Sequence, residues 1–168
     1  ETAAPRIVAG MPMYNEEETI GSVVTRTLRY VDEVICIDDG SSDASARIAE
    51  ACGATVIRHR VNRGYGGALK TLFLEASNLD ADALVLLDSD GQHETADIPK
   101  LLKPILDGEA DFAIGSRFVD GGGGTDMPAY RRLGIKVITA ASNLSSELGI
   151  KDTQSGFRAF SRTALERL

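Results

Sequence analysis

Two aspartates separated by one residue are the strongest candidates for chemistry in this chain. Asp88 and Asp90 follow directly on the apolar run Leu84–Leu87, and Gly91 and Gln92 come next. Residues i and i+2 of an extended segment point the same way, so both carboxylates are expected to face one point. Unpaired carboxylates repel each other unless a cation lies between them. Oxygen ligands from two aspartates and the amide of Gln92 suit Mg²⁺ or Mn²⁺ rather than zinc. The alternative is a polar strand end with solvated carboxylates.

A second group of aspartates follows another apolar run. Asp39 lies within the segment Ile37–Asp43. Its carboxylate is suited to accept hydrogen bonds from a nucleobase or a ribose, so we predict that it contacts a ligand. We expect Asp38 and Asp43 to be structural, with Asp43 or Ser42 as the cap of the helix that follows.

The chain between Met11 and Glu16 offers a third set of groups. Pro12 fixes the loop, Tyr14 presents a ring to a base or a sugar, and Glu16 presents an acceptor. The same residue types suit the start of a helix capped by Asn15. Considered on these residues alone, both interpretations stay open.

A glycine-rich segment, Asn62–Gly67, precedes a helical pattern. Glycines at such a place let backbone N–H groups approach an anion. Neither the dinucleotide-binding motif GxGxxG nor the P-loop motif fits, because Leu69 stands where each motif requires glycine.

Three charged side chains late in the chain complete the candidates. Arg117 follows the apolar run that ends near Gly115, and Arg131 follows a run of four glycines. Arginine is the preferred partner for phosphate, so we expect both to contact a phosphate group. Asp152 is a candidate general base, or alternatively a turn aspartate.

The elements that must position these groups alternate between short apolar runs and helical stretches. Four such alternations in the first 90 residues predict an α/β fold with a Rossmann-like, doubly wound, mostly parallel sheet flanked by helices, in a single domain over 1–168. Ligands bind such sheets beyond the carboxyl ends of the strands, which is where the candidate groups fall. The apolar spacing also predicts helices over Glu16–Tyr30 and Tyr130–Leu148.

Length and charge narrow the class of protein. The chain has 168 residues and a net charge of −7, from 18 Lys and Arg against 25 Asp and Glu, which argues against a nucleic-acid-binding protein. No run approaches the roughly 20 apolar residues of a membrane-spanning helix. Cys36 and Cys52 lack metal-ligand spacing, and the first residues lack the features of a signal peptide. We therefore predict a cytoplasmic protein.

Five of these segments, in this order, resemble the family 2 glycosyltransferases with the GT-A fold. The extension after the aspartate pair and a stretch near the end of the chain are most similar to the polyprenyl- and dolichyl-phosphate hexose synthase branch. The five segments are Pro12–Glu16, Asp38–Ser41, Asn62–Gly66, Asp88–Asp90 and Gly115–Arg117, and the two stretches are Asp90–His93 and Asp152–Arg158.

The resemblance implies roles for the matched residues. It implies that Asp88 and Asp90 hold the metal with Gln92, that Ser89 between them contacts the nucleotide sugar, and that Arg117 contacts phosphate. Asp90, Arg117 and Asp152 are the predicted catalytic residues. The nucleotide would be held by Pro12, Tyr14, Glu16, Ile37 and Asp39.

Members of this branch continue past the position of Leu168 with further phosphate contacts and membrane-associated helices. We therefore expect a domain truncated at its C-terminus, with any peripheral membrane contact in the missing part.

The predicted reaction is a metal-dependent, inverting transfer of a hexose from a nucleotide-diphosphate sugar to a polyprenyl or dolichyl phosphate, at the cytoplasmic face of the membrane. A phosphate acceptor is already ionised near pH 7 and needs no general base. Three alternatives stay open: a saccharide hydroxyl acceptor with Asp152 as base, a non-catalytic module that binds sugar nucleotides, and a haloacid-dehalogenase-like phosphatase with Asp88 as nucleophile.

Overall fold

The structure, a computed structural model, describes residues 3–116, 134–138 and 156–168, with the backbone alone for residues 116 and 134–138. The predicted site residues Arg117, Arg131 and Asp152 lie outside these ranges. The strands are β1 (Ile7–Met13), β2 (Glu33–Asp38), β3 (Thr55–Arg58), β4 (Ala83–Leu86), β5 (Phe112–Ser116), β6 (Gly134–Ile138) and β7 (Arg158–Ser161). The helices are α1 (Ile20–Thr27), α2 (Ser45–Ala51), α3 (Gly64–Asn78), α4 (Ile98–Leu106) and α5 (Arg162–Leu165), with a single 3₁₀ turn at Thr95–Asp97.

The described strands form one sheet in the order β3-β2-β1-β4-β7-β5-β6. The first four strands along this order are parallel. Strand β7 lies antiparallel between β4 and β5, and β6 pairs antiparallel with β5. Five of the seven strands therefore run the same way, which confirms the predicted mostly parallel α/β fold. The strand order reverses between β1 and β4, and this is the switch point at which doubly wound sheets bind ligands.

Apolar side chains pack on both faces of the sheet. One buried cluster joins alternate residues of β1, β2 and β4 to α1 and α4, and the second joins the intervening residues of the same strands to α3 and α5. Strand β4 is the fourth of the seven described strands in the sheet and is buried on both faces, which explains its uninterrupted apolar sequence.

Two predicted helices differ from the structure. Helix α1 begins at Ile20 rather than at Glu16, because the preceding backbone amides bond to side chains of a neighbouring loop, as described below. Of the predicted helix Tyr130–Leu148, the described part Gly134–Ile138 is a strand paired with β5. Its three β-branched residues, Ile135, Val137 and Ile138, favour a strand once an edge is available to pair with.

Candidate functional site

A cavity of about 360 Å³ lies at the carboxyl ends of β1, β2 and β4. Seven of the predicted site residues line it, drawn from three separate segments of the chain. The lining also includes residues of the glycine-rich segment before α3. The predicted residues are Pro12, Tyr14, Glu16, Asp39, Asp88, Ser89 and Asp90, and the others are Met13, Asn62, Gly64, Tyr65 and Ala68.

The remaining predicted residues lie elsewhere. Ile37 is fully buried in β2 and is not part of the cavity lining. Gln92 is exposed and donates its backbone N–H to Asp90 Oδ1 over 3.0 Å, and it also stands outside the lining. The roles predicted for Ile37 and Gln92, as for the residues outside the described ranges, stay predictions.

Ser89 fixes the loop that carries the two aspartates. Its hydroxyl donates to the carbonyl oxygen of Pro12 over 2.9 Å, and its own carbonyl accepts from the Thr19 hydroxyl over 2.8 Å. The chain at Ser89 and Asp90 turns instead of continuing the strand, so the extended geometry expected for this segment is wrong. The side chain of Ser89 is buried, and the aspartates on either side of it line the cavity.

His93 and Gly156 hold the Asp88 carboxylate from two sides. His93 Nε2 lies 3.0 Å from Asp88 Oδ2, and the imidazole stacks on the ring of Phe157 with centroids 5.5 Å apart. Gly156 lies so close that a Cβ built on it would overlap both oxygens of Asp88. The carboxylate therefore sits between an imidazole and a bare backbone, and a side chain at position 156 would have to displace it.

Asp39 is buried, and one of its carboxylate oxygens accepts two hydrogen bonds. Its Oδ1 accepts from His59 Nδ1 over 2.7 Å and from the backbone N–H of Arg63 over 2.8 Å. Burial by itself would raise the pKa of Asp39, but the hydrogen bonds from His59 and from the backbone amides of Arg63 and Gly64 outweigh it and lower the pKa. The group is thus held as a carboxylate.

The loop after β1 is tied to the loop after β2 by reciprocal hydrogen bonds. Asn15 N–H donates to Ser41 Oγ over 2.9 Å, and Ser42 N–H donates back to Asn15 Oδ1 over 2.9 Å. Glu16 N–H donates to Ser45 Oγ over 2.7 Å, and Glu17 exchanges a similar pair with the other loop. These bonds replace the helical start predicted for Asn15 and place Tyr14 and Glu16 beside Asp39 at the cavity.

Asp38 and Asp43 have structural roles, although the N-cap of α2 is Ala44 rather than Ser42 or Asp43. Asp38 Oδ1 accepts the backbone N–H of Ser41 over 2.9 Å, and Asp43 Oδ1 accepts the backbone N–H of Ser45 over 2.9 Å. Burial would raise the pKa of Asp43, but its hydrogen bonds with Ser45 and Glu17 lower it. Neither aspartate belongs to the cavity lining.

The first turn of α3 forms one side of the cavity. Gly64 begins the helix at φ +77°, and the half-exposed ring of Tyr65 follows. Burial and the negative charge of Asp88 raise the pKa of the Tyr65 phenol, against the opposing charge of Arg158. The phenol therefore stays a neutral hydrogen-bond donor near the aspartate pair.

The donor set fits a divalent cation that is shared with a substrate. Among the described residues, no group of three His, Cys, Asp or Glu side chains is placed to hold a metal ion by itself. Magnesium-type ions are commonly bound by one or two carboxylates together with substrate phosphates, and Asp88 and Asp90 supply such a pair. Among the described residues that line the cavity, four are acidic and none is Lys or Arg, so these residues by themselves would repel an anionic substrate in the absence of a cation.

Three residues of the site were given no role from the sequence. His59 and His93 lack ligand spacing to each other, so nothing in their types showed that one holds Asp39 and the other holds Asp88. Gly156 falls in the stretch Asp152–Arg158, in which the resemblance implies no role for the glycine. The one local signal was the position of His93, five residues after Asp88 in the same loop.

The family model described as Glycosyl transferase family 2 matches residues 9–168. A UDP-N-acetylglucosamine–dolichyl-phosphate N-acetylglucosaminyltransferase of Methanococcus voltae is 32% identical over 94% of this chain and 70% of its own length. A dolichol-phosphate mannosyltransferase of Pyrococcus furiosus is 34% identical over 93% of this chain and 46% of its own.

Solved structures of the same fold also match. Glucosyl-3-phosphoglycerate synthase of Mycobacterium tuberculosis, in complex with Mn²⁺, UDP-glucose and phosphoglyceric acid, superposes with a TM-score of 0.65 at 32% identity, over 95% of this chain and 57% of the other. The chain thus spans between about half and about 70% of the length of these relatives. None of its described helices has the length and apolar character that a bilayer crossing requires.

Proposed function

Because the chain belongs to glycosyltransferase family 2, we propose that it is the catalytic domain of an enzyme that transfers a hexose from a nucleotide-diphosphate sugar to a polyprenyl phosphate, with inversion at the anomeric carbon. One observation carries the proposal: a single cavity at the switch point of the sheet gathers Asp39, Asp88 and Asp90 from two strand ends. Relatives named for dolichyl-phosphate acceptors support the choice of acceptor.

The nucleoside occupies the part of the cavity between β1 and β2. Asp39, held ionised by its hydrogen bonds, accepts an N–H or O–H of the base or ribose. Tyr14 is half-exposed at the cavity and offers a ring face, and Glu16 offers a second acceptor. The hydrogen bonds between the two loops fix these three groups relative to one another before the substrate binds.

The diphosphate and the sugar lie toward β4. Asp88 and Asp90 would hold a Mg²⁺ or Mn²⁺ ion, and Gln92, which lies outside the cavity lining, is proposed as a further ligand. Such an ion would supply positive charge to the diphosphate as the sugar leaves. The solved relative with Mn²⁺ and UDP-glucose supports this assignment. His93 and Gly156 keep the Asp88 carboxylate directed at the cavity.

The acceptor phosphate attacks the anomeric carbon from the side opposite the leaving group. Arg117 and Arg131 bind and orient this anion, which is already a nucleophile at neutral pH. Asp152 acts as a base only if the acceptor is a hydroxyl. Reaction with a lipid-linked phosphate places the domain at a membrane surface, on the cytoplasmic side.

A transfer assay with a short-chain polyprenyl phosphate, UDP- and GDP-hexoses and Mn²⁺ tests the proposal. We expect Asp88→Asn to lower the rate by about 10²-fold or more, because a neutral amide holds the cation poorly, whereas Asp107→Asn, on the surface, leaves it unchanged. Transfer to the lipid that persists unchanged in Asp88→Asn would contradict the assigned site.

The Asp152→Asn variant separates the two acceptor classes. If the acceptor is a phosphate, we expect little loss of rate, whereas a hydroxyl acceptor would bring a loss of about 10²-fold or more. Binding of the nucleotide sugar and metal with no transfer to either acceptor would favour the non-catalytic module. The family match spans the Asp88–Asp90 segment and gives the phosphatase alternative no support.

A further inference from the structure

The buried pair His59–Asp39 limits how a ligand meets Asp39. Asp39 Oδ1 already accepts two hydrogen bonds, from His59 Nδ1 at 2.7 Å and from the Arg63 amide at 2.8 Å. A carboxylate oxygen has two lone pairs, so Oδ1 has no capacity left. The nearby Gly64 amide donates to Asn62 Oδ1 over 3.0 Å. The acceptor capacity of Asp39 that remains for a ligand therefore lies on Oδ2.

His59 is itself held in place. It is buried, and its Nε2 lies 2.8 Å from the hydroxyl of Thr71, which is also 3.2 Å from the carbonyl of Gly67 one helical turn earlier. Because an ionised carboxylate only accepts, Nδ1 of His59 must carry the proton that it shares with Asp39. Rotation of the Asp39 carboxylate would break a buried charge-assisted hydrogen bond, so the carboxylate presents one oxygen in a fixed direction.

We infer that His59 is a specificity-determining residue, which makes the base end of the cavity selective for a base with one imide N–H, that is, a uracil or thymine ring. The inference rests on the proposed function. Such a ring offers one N–H, at N3, between two carbonyl groups, and it matches a carboxylate with one free oxygen. Guanine offers two adjacent N–H donors that pair with both oxygens of a carboxylate, and one of those oxygens is occupied here.

Polarity disfavours the other two bases. Cytosine and adenine present a ring nitrogen that accepts at the corresponding position, and this nitrogen would face a carboxylate oxygen with no proton between them. Two buried acceptors that face each other without a proton between them lower the affinity for the base. The expected order of affinity is therefore UDP and TDP first, GDP weaker, and CDP and ADP weakest.

Calorimetric titration of the purified protein with UDP, GDP, CDP and N3-methyl-UDP, each with Mn²⁺, tests the inference. We expect UDP to bind about tenfold or more tightly than GDP, and N3-methylation to remove most of that advantage, because one hydrogen bond to a charged group is lost. In His59→Leu the carboxylate is released from one donor, and we expect the UDP-to-GDP affinity ratio to fall by about fivefold or more.

A matched pair of threonine variants covers the case in which His59→Leu fails to fold. Thr71→Val removes a helical hydroxyl that bonds to the carbonyl one turn earlier and also to His59. Thr27→Val removes a hydroxyl with the same helical bond in α1 and no contact with the site. We expect Thr71→Val to lower the affinity ratio and Thr27→Val to leave it unchanged.

The outcomes separate this inference from the proposed function. Equal or tighter binding of GDP, or an unchanged ratio in folded His59→Leu or Thr71→Val, overturns the inference while the proposed function stands. If no nucleoside diphosphate binds, the proposed function fails and the inference fails with it.

Discussion

At the scale of single residues, the groups packed around two of the site's carboxylates set the direction in which each one points. Asp88 and Asp39 are each held by a histidine, at 3.0 and 2.7 Å, and neither histidine lines the cavity. A histidine packed behind a ligand carboxylate fixes its direction, as partners behind metal ligands commonly do. Substitutions of residues that contact Asp88 or Asp39 but not the substrate are therefore expected to change substrate binding and the rate of transfer.

Gly156→Ala tests how closely Asp88 is packed. A Cβ at this position would overlap the carboxylate, which cannot move aside without leaving His93. We expect Mn²⁺-dependent nucleotide binding to weaken and transfer activity to fall by about 10²-fold, since a displacement near 1 Å at a reacting centre has effects of that size. Calorimetry and the transfer assay measure the two effects.

Gly66→Ala is the matched control for Gly156→Ala. Its Cβ would meet nothing within 4 Å, and it lies in the first turn of α3 beside the cavity. We expect unchanged activity and a free energy of unfolding that is equal or higher by up to about 1 kcal/mol, since alanine is the better helix former. Equal activity losses in both variants would show that glycine at 156 has no special role.

The pKa of Asp39 predicts a pH dependence of stability. Because its hydrogen bonds lower the pKa in the folded state, the ionised group stabilises the fold above the unfolded value of about 3.9 and loses that effect as the pH falls through the folded value. We expect Asp39→Asn to be destabilised relative to the native protein at pH 7 and the difference to shrink toward pH 3, in urea unfolding at each pH.

Asp107→Asn serves as the control for the pH series. Asp107 forms an exposed ion pair with Lys103 at 2.6 Å on α4. Such surface pairs contribute less than about 1 kcal/mol, so we expect a small change at every pH. A gap between Asp39→Asn and the native protein that stays constant from pH 7 to pH 3 would argue against the assigned role of the carboxylate.

At the scale of elements, the geometry of the cavity comes from two loops that bond to each other. Asn15 adopts φ +53°, a left-handed conformation that asparagine tolerates better than most residues, and its side chain accepts the N–H of Ser42. This pairing keeps the end of β1 beside the end of β2. The position of Tyr14 and Glu16 therefore depends on Asn15, although Asn15 does not itself line the cavity.

Asn15→Ala and Asn15→Gly separate the two contributions of that residue. The alanine variant loses the hydrogen bond and is strained at positive φ, and we expect it to lose about 1–3 kcal/mol of stability. The glycine variant loses the hydrogen bond without the strain, so we expect the smaller loss in urea unfolding. Identical losses in the two variants would show that the left-handed conformation does not matter here.

Much of this element arrangement could be predicted from the sequence, and the exceptions have a physical cause. The apolar runs of β2 and β4 and the carboxylates that follow them are local signals, and they identify the strand ends where the cavity lies. The predicted start of α1 and the helix predicted at Gly134–Ile138 were wrong, because each structure is decided by a partner distant in the chain. These partners are the loop Ser41–Ser45 for α1 and strand β5 for Gly134–Ile138. The role of His59 depends on the same kind of contact, with Asp39, whereas His93 meets Asp88 within one loop and stacks on the distant Phe157.

At the scale of the whole molecule, the sheet separates two cores of which only one supports the aspartate pair. Phe157, just before β7, packs in the core with α1 and α4 and stacks on His93, while Phe160 packs in the core with α3 against Phe73 and Phe112. Both rings are 1% exposed. Phe157 and Phe160 are therefore close in the chain and equally buried, but they pack in the two different cores.

Phe157→Leu and Phe160→Leu test whether this separation matters for function. Each replaces a buried ring by a smaller side chain, so we expect each to lower the free energy of unfolding by about 1–3 kcal/mol. Only Phe157→Leu removes the surface on which His93 rests, so we expect transfer activity to fall by about tenfold in that variant and to stay near the native value in Phe160→Leu. Urea unfolding and the transfer assay give the two measurements. Equal activities at comparable stability would mean that the stack does not hold His93 against Asp88, and that the two cores contribute alike to the site.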